Sequence, residues 1–488
     1  MKVFDLKNTR EVLWDMELAE KADGVRLEMH RPIRKGAVLD CNEPWEGEHC
    51  GYGKVIYDGE KYRFYYRGCG FNDGVWNMES GEHAVWCVAY SFDGKNFHKP
   101  DLGIYEYKGS THNNIVMITE SGYIDNFSIL LDTNPNCPAD EKYKAISGHT
   151  YNWDKKDIAL KYYKSADGLH FEYVGELLRG HGFFDSMNTI FWEEEKGRYL
   201  IYMRDYHDAD PEYRLEYDKE KHVRDICVTY SEDFINWTEP KPLSYGEADK
   251  TEFQLYTNGI MKYYRGDIYV GLPTRYIDRT PDEVNYKYLP DINGHRSYII
   301  EKTGRGGSAM TDCMIMTSRD GVEFKRFGST FFTPGPENGD NWAYGDCYFA
   351  YGIIETDSDF CGEPNEMSLY VGKGYRARPV TFERYTLRLD GFFSWRTDFE
   401  GGEVITKPIS FEGEALNVNF ATSAVGFLRI EILDENGNTI DGYDSGRLFG
   451  DSVARPVDFA KPLCELSGKP VRLKISMKDC DFYSFKFN

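Results

Sequence analysis

Short apolar runs alternate with polar turns along nearly the whole chain, and the runs have the length and the two-residue period of strands. One turn recurs. The run "AVWCVAYS" leads into Ser91-Phe92-Asp93-Gly94 with Phe97 beyond it, and "IALKYYKS" leads into Ser165-Ala166-Asp167-Gly168 with Phe171. "RDICVTYS" leads into the looser Ser231-Glu232-Asp233 with Trp237, and "TDCMIMTS" into Ser318-Arg319-Asp320-Gly321 with Phe324. The four serines are spaced by 74, 66 and 87 residues, a period that signals a repeat architecture. Upstream of each turn sits a second hairpin, a polar turn followed by an aromatic strand, as in "YDGEKYRFYYRG", "EEEKGRYLIYMRD" and "YYRGDIYVGLPTR". Glycine beside Asp supplies the positive φ that such reversals need. Four strands per unit at this unit size predict β-propeller blades, five of them, at roughly 38–108, 113–180, 184–245, 250–332 and 340–396.

The texture changes after "RYTLRLDGFFSWRT". The remaining segment alternates plainly, "FLRIEILDENGNTI" and "PVRLKISMKDCDFYSFKF", and predicts a compact antiparallel β-sandwich. The expected organisation is therefore all-β: an N-terminal clasp segment at 1–37, a five-bladed β-propeller at 38–398 and a C-terminal sandwich at 399–488. "TREVLWDMELAEKADG" is the one helix-like stretch.

A net charge of -23 argues against nucleic acid or an anionic membrane surface as partner, because both require clustered Lys and Arg. A small carbohydrate fits better, since the 16% aromatic content supplies rings that stack on sugars as well as stabilising strands. A homo-oligomer is compatible with the same composition. The 11 scattered cysteines lack CxxC pairs, and the first residues lack an apolar leader, so reduced thiols and a cytoplasmic location are expected.

In a propeller the innermost strands begin around one mouth of the central channel. The segments predicted to begin there each carry a carboxylate: Glu43 and Glu46, Asp125, Asp185, Glu252 and Asp346. Buried starting positions normally exclude unpaired acids, so a ring of them points to hydroxyl binding or proton transfer, although any one can be a turn residue capping a strand. Asn188 and the Tyr256-Thr257-Asn258 cluster add the mixed donors and acceptors that sugar hydroxyls require. Trp45, Trp342 and Tyr344 are candidates for a stacking platform or for wedges between blades. Arg204 and Arg275 end corresponding second strands, where they can pair with acids at the mouth or bridge blades, and Asp312 begins a third strand that can reach the same place. No GxSxG, HExxH or phosphate-loop motif is present, so paired carboxylates are the chemistry on offer. No cofactor is expected, and no metal at the catalytic centre; a structural Ca²⁺ held by several carboxylates fits the acid ring.

A five-bladed propeller with acids on its inner strands and a sandwich behind it resembles the furanosidase-type glycoside hydrolases of families 32, 43 and 68. "YSFDGKNFHKPDLGIYEYKGSTHNNIV", "FDSMNTIFW", "LYTNGI", "TSRDGVEF" and "NWAYGDCYFAYGIIET" are similar to a set of bacterial family-32-like proteins. The resemblance implies a base, a pKa modulator and an acid on the first three blades, which match Glu46 (or Glu43), Asp125 and Asp185. The sequence departs from that pattern in having Glu on the first blade and Asp on the third, and it lacks Trp-x-Asn-Asp-Pro-Asn. The implied activity is hydrolysis of small oligosaccharides or glycosides, furanosides among them, by two carboxyl groups. A glycoside phosphorylase, for which Arg275 or His295-Arg296 would supply a phosphate pocket, and a non-catalytic sugar-binding propeller are the alternatives.

Overall fold

The computed structural model describes all residues except 1–2, 70–83, 119–125, 151–154, 216–217, 219, 280–287, 292–293, 295, 298–299, 302–307 and 376–377, and the side chains at 149, 150 and 155. Asp125 and His295 thus lie outside the described residues.

Five separate sheets form the propeller. Blade 1 runs Gly51–Tyr57, Tyr62–Gly68, Val85–Ser91 and Ile115–Ile118 from the axis outward, and blade 2 runs Ser128–Leu131, Tyr143–Thr150, Ile158–Ser165 and Glu172–Leu177. Blade 3 is Thr189–Glu193, Arg198–Asp208, His222–Ser231 and Lys241–Pro242. In blade 4 the two inner strands are each interrupted, Gln254–Leu255 with Met261–Lys262 and Tyr269–Gly271 with Thr274–Asp278, before Ala309–Ser318 and Lys325–Phe332. Blade 5 is Ile354–Thr356, Glu366–Lys373 and Thr381–Arg388, and its outermost strand is Ile33–Asp40 from the other end of the chain. The ring is thereby closed by pairing N-terminal with C-terminal sequence. It is closed a second time near the axis, where Val55 N donates to Tyr351 O (2.9 Å) and Tyr351 N to Gly53 O (2.7 Å).

The recurring turn is built the same way each time. Ser91 Oγ donates to Asp93 Oδ1 (2.7 Å) and accepts from Gly94 N (2.9 Å), while Asp93 Oδ1 also takes the amides of Lys95 and Asn96. Gly94, Gly168 and Gly321 all have positive φ, and the carbonyl of each accepts a tyrosine hydroxyl from the preceding blade: Tyr370, Tyr65 at 3.0 Å and Tyr202 at 2.8 Å. In the looser third copy Phe234 takes the left-handed position, φ 69°. Its ring packs 4.7 Å from Tyr162 and 5.0 Å from Tyr199.

The N-terminal segment is not helical. It forms Phe4–Lys7, Glu11–Val12, Ala19–Asp23 and Arg26–Met29, each added to the C-terminal sheet. The apolar spacing of "TREVLWDMELAEKADG" suits one helical face, but the sheet edge offers partners for the backbone, and Trp14 is buried with its Nε1 donating to Asp390 O (2.7 Å). That C-terminal sheet holds eleven strands around one apolar core, dominated by the long pair Leu416–Asp434 and Val471–Phe487. A bulge between Thr422 and Phe427 bends the pair so that both halves contribute to the core. Buried Asp390 ties the parts together, accepting from Arg265 Nε (2.8 Å) and Tyr263 (2.8 Å) of blade 4 and from Ser484 (2.6 Å) of the C-terminal sheet, with Arg10 3.4 Å away. Among the described residues no helix is long and apolar enough to cross a membrane.

Candidate active site

The antiparallel register decides which residues meet at the mouth. Gly51 pairs with Arg67, Thr189 with Tyr202 and Leu255 with Arg275, so inner strands begin where second strands end. Tyr52, Asp185, Tyr256 and Tyr348 come to this end from blades 1, 3, 4 and 5, and Arg67 and Arg204 arrive from the second strands.

Arg204 is the hub. Its Nη1 lies 3.3 Å from Asp185 Oδ2, its Nη2 donates to the carbonyl of Tyr256, and its guanidinium covers the Tyr256 ring at 4.2 Å. Burial opposes the charge on Arg204, but Tyr206, Asp185, Tyr256 and Tyr52 outweigh it and raise its pKa, so it stays a cation. Asp185 keeps 31% of its side chain exposed beside this buried cation. Arg67 is placed comparably on blade 1, 4.6 Å over the Tyr52 ring and donating to His49 O (3.2 Å).

Tyrosines line the space between the two arginines. Tyr256 stacks on Tyr348 at 6.0 Å and Tyr348 on Tyr52 at 6.2 Å, while Tyr344 meets Tyr256 edge-on and shares a hydroxyl hydrogen bond with it. Tyr375 packs against His49 (4.7 Å) and Tyr348 (6.0 Å). Burial pushes the phenols of Tyr256 and Tyr348 well up, so both are neutral near pH 7. Gly345 permits this packing, because a Cβ on it would collide with the Tyr375 ring. Tyr52 (φ 49°) and Trp342 (φ 56°) hold left-handed backbones, a strain that bulky residues keep only where their surroundings impose it.

Other expected site residues are placed elsewhere. The Glu46 carboxylate has no exposed surface: it accepts from Tyr66, from Lys99 Nζ at 2.7 Å and from Glu43 N at 3.0 Å. Glu43 is half-exposed and 3.8 Å from the same lysine. Glu252 faces the loop after blade 3's second strand, accepting from Asp210 N (3.1 Å) with His207 Nε2 at 2.9 Å. Asp346 is buried in a turn, accepting from Ala343 N at 3.0 Å, and desolvation pushes it up to about 6. Arg275 and Asp312 are cross-strand partners in a bidentate ion pair (2.9 and 2.5 Å). Trp45 Nε1 donates to Asn114 Oδ1 and Trp342 Nε1 to Gly335 O, both at 2.8 Å, and neither ring joins the tyrosine stack.

Asn188 and Asn258, expected to bind hydroxyls, join Asn126 in a repeated stitch. Asn126 donates to Phe184 O (2.8 Å) and accepts from Gly148 N (3.0 Å); Asn258 donates to Met187 O (3.2 Å) and accepts from Thr189 (2.9 Å). Asn188 donates to Phe184 O and Ser186 O and accepts from Arg204 N. Asparagines ahead of three inner strands thus lock the loop carrying Asp185. The signal was an Asn one to three residues ahead of an inner strand in blades 2, 3 and 4, "NFSIL", "NTIFW" and "NGIMK". Among the described residues no group of three or more His, Cys, Asp or Glu is placed to hold a metal ion.

No family model and no curated protein matches the chain. Solved structures to which it is similar include an N-acetylgalactosamine deacetylase from F. plautii in complex with blood group B trisaccharide (11% identity, 75% of this chain and 96% of that one, TM-score 0.47). Others are a family 32 β-fructofuranosidase from Bombyx mori (11% identity, 94% and 94%, TM-score 0.40) and a family 43 arabinoxylan arabinofuranohydrolase from Bacillus subtilis (12% identity, 92% and 97%, TM-score 0.39).

Proposed function

We propose that this protein is a glycoside hydrolase acting on small oligosaccharides or glycosides, furanosides among them, at the tyrosine-lined mouth of its propeller. The observation that carries the reading is Asp185, a partly exposed carboxylate 3.3 Å from a buried guanidinium that itself covers the Tyr256 ring at 4.2 Å. Stacked tyrosines suit the apolar face of a sugar, and their neutral hydroxyls suit its polar rim. A carboxylate facing a guanidinium acts best ionised, so Asp185 is assigned the base or nucleophile, where the family resemblance made it the acid. The second carboxyl of a two-carboxylate mechanism falls to Asp125, which the resemblance places on the neighbouring blade. Glu46, paired with Lys99, is assigned a structural part.

The phosphorylase reading loses ground because its cations are committed: Arg275 to Asp312, and Arg296 to the carbonyls of Trp342 (2.6 Å) and Asn341 (2.7 Å). Turnover of a panel of aryl furanosides and pyranosides, with and without inorganic phosphate, tests the proposal. Hydrolysis at a rate indifferent to phosphate supports it; strict phosphate dependence, or sugar binding with no turnover across the panel, refutes it.

A further inference from the structure

A second concavity lies in the seam between blades 4 and 5, with a volume of about 720 Å³. Such a volume suits a small ligand. Its floor comes from Phe332 and Tyr385, whose rings meet edge-on at 4.9 Å. One wall is the 333–341 loop, which is fixed in place: Asn341 Nδ2 donates to Pro334 O (3.1 Å) and Pro336 O (2.7 Å), and its Oδ1 accepts from Asn338 N (2.9 Å).

The charge of the groove runs against that of the chain. In a protein of net charge -23, four cations line it, Arg31, Arg34, Lys373 and Arg378, against two acids. Both acids are already engaged, Glu383 by Arg34 (2.8 Å) and Tyr385 (3.1 Å), and Asp340 by Arg378 (2.5 Å). Arg31 and Lys373 have no carboxylate within ion-pair distance among the described residues, and Lys373 Nζ sits 4.9 Å over the Phe332 ring. Two cations without an ion-pair partner among the described residues attract an anion. The aromatic floor and the size of the groove ask for a body behind that anion, larger than a bare inorganic ion and with one apolar face.

We propose that this groove binds the carboxylate of an acidic saccharide, with Arg31 and Lys373 holding the anion and the sugar face resting on the Phe332 and Tyr385 side. The inference does not depend on turnover at the mouth. Calorimetric titration of the full chain with digalacturonate at low salt tests it, with neutral digalactose and inorganic phosphate as comparison probes. Digalacturonate should bind at least tenfold more tightly than either, and Arg31→Gln/Lys373→Gln should weaken it at least tenfold, while Arg31→Lys/Lys373→Arg retains it. Asp185→Asn should bind it as the parent does, which separates this site from the mouth. Absence of saturable binding, equal binding of digalactose, equal or tighter binding of phosphate, or unchanged affinity in the double Gln variant would overturn the proposal.

Discussion

Arg204 of blade 3 lays its guanidinium over the ring of Tyr256 of blade 4 at 4.2 Å while facing Asp185 at 3.3 Å. One side chain thus fixes both the carboxylate and an aromatic wall. Lysine retains the charge but loses the planar fork that serves both contacts. Arg204→Lys should lower kcat by about 10²-fold, on the scale of a misplaced catalytic group, with a smaller change in KM. Steady-state kinetics on the best glycoside checks this, and a raised KM with kcat unchanged would point to uniform binding instead.

Buried Glu46 pairs with the partly exposed Lys99 at 2.7 Å. If that pair is structural, Glu46→Ala leaves the buried Tyr66 hydroxyl and the Glu43 amide without their acceptor and should cost about 2 kcal/mol of stability, whereas Glu46→Gln, which keeps a hydrogen-bond acceptor, should leave kcat within a few-fold. Chemical denaturation beside kinetics separates the two roles. A collapse of kcat in a stable Glu46→Gln protein would return Glu46 to the catalytic set.

Phe234 stands where three other blade turns have glycine, and Ile146 stands where the blades preceding those turns present Tyr65, Tyr202 and Tyr370. Both belong to the same apolar cluster, so the ring of Phe234 takes the room that a tyrosine fills elsewhere. Phe234→Gly alone should destabilise by about 3 kcal/mol through the cavity it leaves. Adding Ile146→Tyr should recover part of that loss by restoring the hydroxyl-to-carbonyl bond. A double-mutant cycle with a coupling of about 1 kcal/mol is expected; strict additivity would contradict the reading.

These contacts show what the sequence carried and what it did not. The Ser-x-Asp-Gly copies disclosed the propeller because the turn's requirements are local: one hydroxyl, one carboxylate and one positive φ. The strand heads were legible for the same reason, but the direction in which a carboxylate points there depends on long-range partners. Lys99, 53 positions from Glu46, draws that acid into the wall. Arg204 keeps Asp185 at the mouth. Of the tyrosine lining, Tyr256 and Tyr344 stood out beside other polar and aromatic residues, whereas Tyr52, Tyr348 and Tyr375 were hidden among 37 tyrosines. The N-terminal strands were masked by a helix-like spacing that the C-terminal sheet overrides, and no local signal announces that Ile33–Asp40 completes the last blade.

Lys54 is buried on the inner strand of blade 1, its amine 4.4 Å over the Tyr351 ring, and desolvation lowers its pKa to about 7. Between about pH 7 and the ordinary lysine range the unfolded chain holds a proton that the folded chain has released. Stability contributed through this group therefore rises with pH across that window and is lowest below it. Lys54→Met should stabilise the protein at pH 7 by roughly 3 kcal/mol and flatten the rise. Denaturant midpoints from pH 6 to 10 decide it, and an unchanged pH slope in the variant would exclude Lys54 as its source.

The central claim is that Asp185 performs chemistry at the mouth. Its most direct measurement is kcat for Asp185→Asn on the best hydrolysed glycoside, with sugar affinity measured in parallel. A fall of at least about 10³-fold, in the range expected for loss of a catalytic carboxylate, with affinity retained, is the predicted result. A kcat within tenfold of the parent would contradict it.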